Sequence, residues 1–289
     1  MPSQPSASSG PSRVTGSSAV ADAPADPVVV FEHVQLAFDE RVVLRDVNFS
    51  VRRGHTKVIL GASGSGKSTS LKIITGLLKP DSGVVYVNGQ RVDQLSERAM
   101  MAVRADLGMI FQEGALFDSL TVRENVGYKL YEETDMPVDE VDARVEEVLG
   151  FIGLAEHIDK MPSALSGGQR RRVAIARAMA FKPRILLYDE ATTGLDPITA
   201  ITVDDEIVKL RDLEGVSSIV VTHQLRDAFY VATHMAVRES DGRVQILDAS
   251  PEKERLTEFI MLRDGVIVFE GDAMTLRRCT DPYIQTFLS

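Results

Sequence analysis

Residues 61–69, GASGSGKST, constrain this chain more than any other stretch, because they directly follow the apolar run VILG (58–61) and open a helical pattern. That setting defines a phosphate-binding loop. Glycines there let successive backbone N–H groups wrap phosphate oxygens, and the helix that follows adds the partial positive charge of its N-terminus. Lys67 reaches the β- and γ-phosphates, Ser68 can ligate Mg²⁺, and Gly61, Ser63, Gly64, Ser65, Gly66 and Thr69 complete the cradle. The plain alternative is a Gly/Ser turn without a ligand. The offsets of Gly61, Gly66, Lys67 and Ser68, with a strand before and a helix after, favour the nucleotide.

A loop of this kind needs a buried sheet behind it. The 289 residues, 44% of them apolar, are enough for one large α/β domain or two small ones. The runs ILLY (185–188) and SIVVT (218–222) join VILG as buried parallel strands separated by helical-period segments, a doubly wound core. From Val28 to Val51 short β-branched runs alternate with polar residues around Asp39-Glu40-Arg41, which reads as an antiparallel meander. Val138, Val141, Val145, Val148, Leu149 and Ile152 share one helical face and mark a helical insert, part of a helical subdomain over about 113–180. Near the end FIMLRDGVIVFEG (259–271) is expected to form a hairpin around Asp264-Gly265, and Pro282 to Leu288 a helix, within a C-terminal region of about 239–289. There SDGRVQILDASPEKERL suggests at most a second hairpin and has no functional reading. Residues 1–27, rich in Pro, Ser and Ala and without the apolar region of a signal peptide, are expected to be a disordered leader before a domain over 28–289.

The 42 acidic against 32 basic residues leave a net charge of −10, a field that repels phosphate backbones, so nucleic acid is a disfavoured partner. Cys279 has no second cysteine to pair with, and the five histidines (His33, His55, His157, His223 and His234) lack the spacing of a metal site. No apolar run approaches the roughly 20 residues that span a bilayer, and the expected compartment is the cytoplasm.

RILLYDE (184–190) places acids at the tip of a buried strand: Asp189 to hold the metal, Glu190 to orient and polarise the attacking water. Such a pair alone is more often a solvated strand end; the phosphate loop upstream reverses that reading. LSGGQ (165–169) leads into RRRVAIARAMA (170–180). Ser166, Gly167, Gly168 and Gln169 form a second anion-binding helix N-terminus, yet one loop lysine is present to serve it. The second site is therefore expected to face a nucleotide held by another copy of the chain. An ordinary helix cap, or a basic nucleic-acid patch at Arg170 to Arg172, are the alternatives, and arginines on a helix of an acidic protein argue against the patch.

The order GASGSGKST, Gln112, LSGGQ, ILLYDE, GLD (194–196) and His223 resembles that of an ATP-binding cassette (ABC) ATPase over residues 28 to 289. The resemblance implies an α/β fold of P-loop NTPase type, with a mixed sheet core, an antiparallel β subdomain and a helical subdomain, and it implies ATP with Mg²⁺ as cofactors. It gives Phe38 the place of the aromatic that stacks on adenine, although a strand residue in the meander core reads equally well. Gln112 resembles the glutamine that senses Mg²⁺ and the attacking water, His223 the histidine at the γ-phosphate, and Asp196 the aspartate by which two protomers sense each other. Ala62 and Ala191 replace prolines common in the family, and neither removes a ligand.

FQEGALFDSLTVREN (111–125) is too apolar for an idle turn. In the family resembled, this segment joins the sheet core to the helical subdomain and receives a short helix of a membrane permease, with Leu116, Phe117, Leu120 and Val122 as the expected floor of the groove; the alternative is that these residues cap the helical subdomain's core. The motor would then sit peripherally on the inner face of the cell membrane. GALF after Gln112 and DPIT after the Asp-Glu pair resemble the ATPases of bacterial lipid transporters built around mammalian cell entry (MCE) domain proteins, such as the maintenance of lipid asymmetry (Mla) system. Other readings are an ATPase of an amino-acid or other small-solute importer, and a soluble ABC ATPase of DNA repair or translation. The last usually carries two cassettes, a coiled-coil insert or cysteine pairs. A P-loop kinase gives LSGGQ no role.

Overall fold

The computed structural model of the protein describes residues 14–15 and 27–288. Its elements run β1 (Val14–Thr15), β2 (Pro27–Phe38), β3 (Arg41–Arg52), β4 (Thr56–Leu60), α1 (Lys67–Ile74), β5 (Ser82–Val87), β6 (Gln90–Arg91), α2 (Glu97–Arg104) and β7 (Leu107–Ile110). The helices α3 (Val122–Glu133), α4 (Val138–Phe151) and α5 (Gly167–Met179) then intervene before β8 (Ile185–Asp189). There follow α6 (Pro197–Glu214), β9 (Ser217–Val221), α7 (Leu225–Thr233), β10 (His234–Arg238), β11 (Val244–Asp248) and α8 (Pro251–Glu254). The chain closes with β12 (Thr257–Arg263), β13 (Val266–Gly271), α9 (Ala273–Arg278) and α10 (Pro282–Leu288).

Seven strands form a mixed sheet in the order β1-β13-β12-β4-β9-β8-β7, and a second, antiparallel sheet has the order β3-β2-β5-β6. In the mixed sheet β12, β4, β9, β8 and β7 are mutually parallel, while β13 runs antiparallel to β12. The central strands are apolar on both faces because both are covered. Val58, Leu60, Leu186, Tyr188 and Val220 enter the core shared with α3 to α7. Their neighbours Ile59, Leu187, Ile219 and Val221 enter a second core with α1 and the antiparallel sheet, among them Val47, Phe49, Leu71 and Ile74. Alternate residues of one strand thus hold two layers to the sheet that carries the site.

The meander expected from Val28 to Val51 is the β2–β3 hairpin, closed at the Phe38–Arg41 pair. On α4 the predicted apolar face is buried from Val141 to Ile152, but Val138, at the first turn, is exposed. The C-terminal hairpin is no appendage: β12 inserts beside β4, pairing Phe259 with Val58 and Met261 with Leu60, because Phe259, Ile260, Met261 and Leu262 are apolar on both faces and fill both cores. The second hairpin begins at His234, where β10 pairs with β11. The expected leader falls outside the described residues except at Val14, Thr15 and Pro27. Val14 and Thr15 pair in parallel with Phe269 and Glu270, and Pro27 opens β2.

Candidate functional site

The loop between β4 and α1 bends through Gly61, Gly64 and Gly66, at φ 147, 79 and 105°, values that side-chain-bearing residues rarely adopt. Space excludes other residues too, since a Cβ on Gly61 would lie 2.3 Å from the Leu262 carbonyl oxygen. The loop borders a cleft of about 970 Å³ lined by Phe38, Ser63, Gly64, Gly66, Lys67, Ser68, Thr69, Gln112, Asp189 and Glu190, with Asp39, Glu40, Arg41 and Val43 from the β2–β3 hairpin. Ser65 is buried within the loop. Phe38, 47% exposed, stands on the cleft and not in the meander core.

Lys67 is buried, and its Nζ donates to the carbonyls of Gly61 at 2.9 Å and Ala62 at 3.1 Å, with Glu190 Oε1 3.5 Å away. Ser68 Oγ donates to Asp189 Oδ1 at 2.6 Å. Two hard oxygen donors therefore meet at the tip of β8, and Gln112 lines the same cleft. Next to them Glu190 adopts φ 53°, a left-handed conformation that costs a non-glycine residue of order 1–3 kcal/mol. Its backbone N–H donates to the Val221 carbonyl at 2.9 Å, tying the end of β8 to the end of β9. Its Oε2 accepts from Thr193 Oγ1 at 2.8 Å and meets His223 Nδ1 at 2.5 Å. One carboxylate oxygen is thus held by two partners while the other faces Lys67, so the acid is oriented before any substrate arrives.

Ser166, Gly167, Gly168, Gln169 and Asp196 do not line this cleft. Ser166 caps α5 and closes a capping box with Gln169, whose Nε2 meets His157 Nε2 at 2.9 Å. Asp196 caps α6, accepting from Ile198 and Thr199 N–H, both at 3.1 Å; hydrogen bonds from the Thr199 side chain and backbone hold its carboxyl below the usual range. The two helix ends touch: a Cβ on Gly168 would sit 2.0 Å from Thr199 Cγ2. Arg170 and Arg172 donate to the Leu165 and Ile152 carbonyls at 2.7 and 3.1 Å. Arg171 is buried and spans two loops, donating to Phe111 O at 2.8 Å and Thr193 O at 3.3 Å, so α5 is bonded both to the segment of Gln112 and to the segment after Glu190.

The apolar loop after Gln112 divides. Phe117 is 43% exposed and lies 4.6 Å, centroid to centroid, from the exposed ring of Tyr128, while Leu116 and Leu120 are half-buried. Val122 is fully buried in the helical core and is no part of a groove floor, because its place in the first turn of α3 points it inward with Val126 and Leu130. Two residues that sequence reasoning passed over set this loop. Asn125, buried on α3, donates through Nδ2 to Phe117, Leu120 and Thr121 carbonyls, each at 3.0 Å, and accepts from Phe117 N–H at 2.8 Å. Arg177 of α5 donates to Gly114 O and Ala115 O at 3.0 and 2.8 Å. Asn125 left one signal, a polar side chain inside the apolar stripe of Val122, Val126 and Leu130; Arg177 left none.

Residues 44–193 match the family model described as ABC transporter. The chain is 36% identical over 279 residues to Protein TRIGALACTOSYLDIACYLGLYCEROL 3, chloroplastic, of Arabidopsis thaliana, over 91% of this chain and 73% of that protein. It is 38% identical over 247 residues to the methionine import ATP-binding protein MetN of Bifidobacterium longum, spanning 81% of this chain and 61% of that relative's length. The solved dimer of the ATP-binding cassette MJ0796, in a post-hydrolysis state bound to ADP and Pi, superposes with a TM-score of 0.69 at 32% identity, over 84% of this chain and 98% of that one. This chain belongs to the ABC transporter family, as an ATP-binding subunit with an ABC ATPase fold that hydrolyses ATP. The finer expectation of an MCE-type lipid system is not reached by these findings; the name of MetN fits the small-solute alternative better. Among the described residues no helix is long and apolar enough to cross a membrane.

Proposed function

We propose that two copies of this chain close head-to-tail over two ATP molecules and drive a membrane permease that imports a small solute of the amino-acid class. The observation that carries the dimer is the separation of the two anion-binding helix ends. The N-terminus of α1 opens on the cleft with Lys67, whereas the N-terminus of α5, with Ser166 and Gly168, and the Asp196 cap lie together off it. A helix end that presents N–H groups to no nucleotide of its own chain suits the γ-phosphate of the partner's. The relative solved as a dimer supports the same arrangement.

Within each site the residues have separable tasks. Phe38 would stack on the adenine ring and the loop 61–69 would wrap the phosphates, with Lys67 on the β- and γ-oxygens. Mg²⁺ fits the donor set, because it favours oxygen and is usually held by one or two protein ligands plus phosphates; Ser68 Oγ and Asp189 would hold it, with Gln112 beside them, and it would neutralise charge on the phosphates. Glu190 would orient and polarise the attacking water through Oε1, while Thr193 and His223 keep its other oxygen fixed. His223, which is not among the residues lining the cleft but is held against Glu190 at its edge, would contact the γ-phosphate.

The permease would dock at the exposed pair Phe117 and Tyr128 beside Leu116. Gln112, Leu116 and Phe117 belong to one loop, which Arg171, Arg177 and Asn125 bind to α5 and α3, so nucleotide at the cleft would move the docking surface against Tyr128 of α3. Attachment there would hold the motor on the cytoplasmic face. The cargo reading follows the named function of MetN. A lipid cargo is the second reading, favoured by the galactolipid in the name of the Arabidopsis relative, which matches 91% of this chain.

Affinity purification of the Glu190→Gln protein with ATP from native membranes, with identification of copurifying proteins and bound small molecules, separates these. An amino-acid permease supports the main reading and an MCE-domain protein with phospholipid the second. Recovery of no membrane protein sinks both.

A further inference from the structure

Arg41 opens β3 and pairs with Phe38 across the turn Asp39–Glu40, so one hairpin end places an aromatic ring and a guanidinium on the same cleft. The hairpin is firmly seated. The Val43 carbonyl oxygen lies 2.9 Å from the position of a Cβ on Gly66 and 2.7 Å from one on Gly265, and Arg45 N–H donates to the Gly265 carbonyl at 2.7 Å. β3 is thereby wedged between the phosphate loop and the β12–β13 turn. From this seat Arg41 Nη2 comes within 3.4 Å of where a Cβ on Gly64 would stand, in the middle of the loop.

The charges on the cleft wall make this position significant. Asp39, Glu40, Asp189 and Glu190 line the cleft together with Lys67 and Arg41, and the Lys67 Nζ already has Glu190 3.5 Å away. A nucleoside triphosphate adds several negative charges to a wall on which carboxylates outnumber cations. The Arg41 side chain makes no hydrogen bond or ion pair with a described residue, although two acids directly precede it. A guanidinium offers five N–H donors in a planar fork suited to phosphate oxygens.

We propose that Arg41 is a second nucleotide-binding cation of this ATPase, clamping the α- and β-phosphates between the base held near Phe38 and the γ-phosphate held near Lys67. It rests on the ATPase site alone and holds whatever the cargo or permease. The clamp reads phosphate and not base, so its loss should scale with the phosphates a ligand carries.

Titration calorimetry on the full chain with ATP, ADP, AMP and adenosine tests this, comparing wild type with Arg41→Ala, Arg41→Lys and Phe38→Ala. Arg41→Ala should raise Kd for ATP and ADP about tenfold, the loss of one charge-assisted contact, raise that for AMP less, and leave adenosine unchanged. Arg41→Lys should recover part of the loss, restoring the charge but not the fork. Phe38→Ala should weaken ATP and adenosine alike. An Arg41→Ala protein that binds ATP and ADP within about twofold of wild type overturns the proposal. So does an equal loss for adenosine, which would place Arg41 at the base or ribose. Thermal melting without nucleotide checks folding; if Arg41→Ala melts early, Arg41→Gln takes its place with the same expected outcomes.

Discussion

Truncating Asn125 to Ala should cost about 3 kcal/mol of folding stability. The figure follows from the partners. Asn125 Nδ2 donates to the carbonyls of Phe117, Leu120 and Thr121, and Oδ1 accepts from Phe117 N–H. The Phe117 carbonyl keeps the Leu120 N–H at 3.2 Å, and the Thr121 carbonyl keeps the Asn125 N–H at 2.9 Å. The Leu120 carbonyl and the Phe117 N–H lose the partners described above. Two groups stranded at about 1 kcal/mol or more each, and two weakened, sum to the stated loss. Urea denaturation measures it as a shift in midpoint at constant m. Asn125→Asp should be worse, since it sets an acid against three carbonyl oxygens. The cleft residues other than Gln112 stand on other segments of the chain, so ATP binding by the isolated chain should persist while permease capture falls. A loss under about 1 kcal/mol at unchanged m would show that residues 117–121 hold their shape without Asn125, and the link from Asn125 to the docking loop would fail.

Glu190→Gln should bind ATP, accumulate as a dimer by size-exclusion chromatography and lose most turnover; hydrolysis within about threefold of wild type, under 1 kcal/mol of barrier, removes Glu190 from the chemistry. Phe117→Asp should leave ATP binding intact and abolish permease capture from membranes, because it puts a charge where an apolar helix face would dock; normal capture refutes the docking surface. Burial, and next the nearby Asp227 carboxylate, push the Asp204 carboxyl from 3.8 up to about 9, so folding takes up a proton there. Stability from this group is fully present at low pH and falls as pH rises from the ordinary aspartate range through about 9. Asp204→Asn cannot ionise, so its advantage in thermal melting should grow by a few kcal/mol between about pH 5 and about pH 8; an advantage that shrinks with pH refutes the reading.

The phosphate loop, the acids at the end of β8 and the glycine-led start of α5 were legible in order along the chain, because each depends on backbone chemistry set by immediate neighbours: glycine at positive φ, an apolar run, an N-cap serine. The same local logic could not say that Val122 turns into the helical core while Phe117, five positions earlier, faces solvent. Nor could it place β12 between β4 and β13, since a strand apolar on both faces fits any covered site in a sheet. Arg41 reads in sequence as one more charge in a polar turn, and only the seating of β3 against Gly66 and Gly265 brings it to Gly64. Burial and hydrogen-bond partnership are properties of pairs far apart in the chain, such as Arg171 with Phe111 and Thr193, and they come into being only when the layers close. Residue type and spacing therefore determined the chemistry this protein can perform, while the packing of two cores on one sheet decided which side chains are held still to perform it.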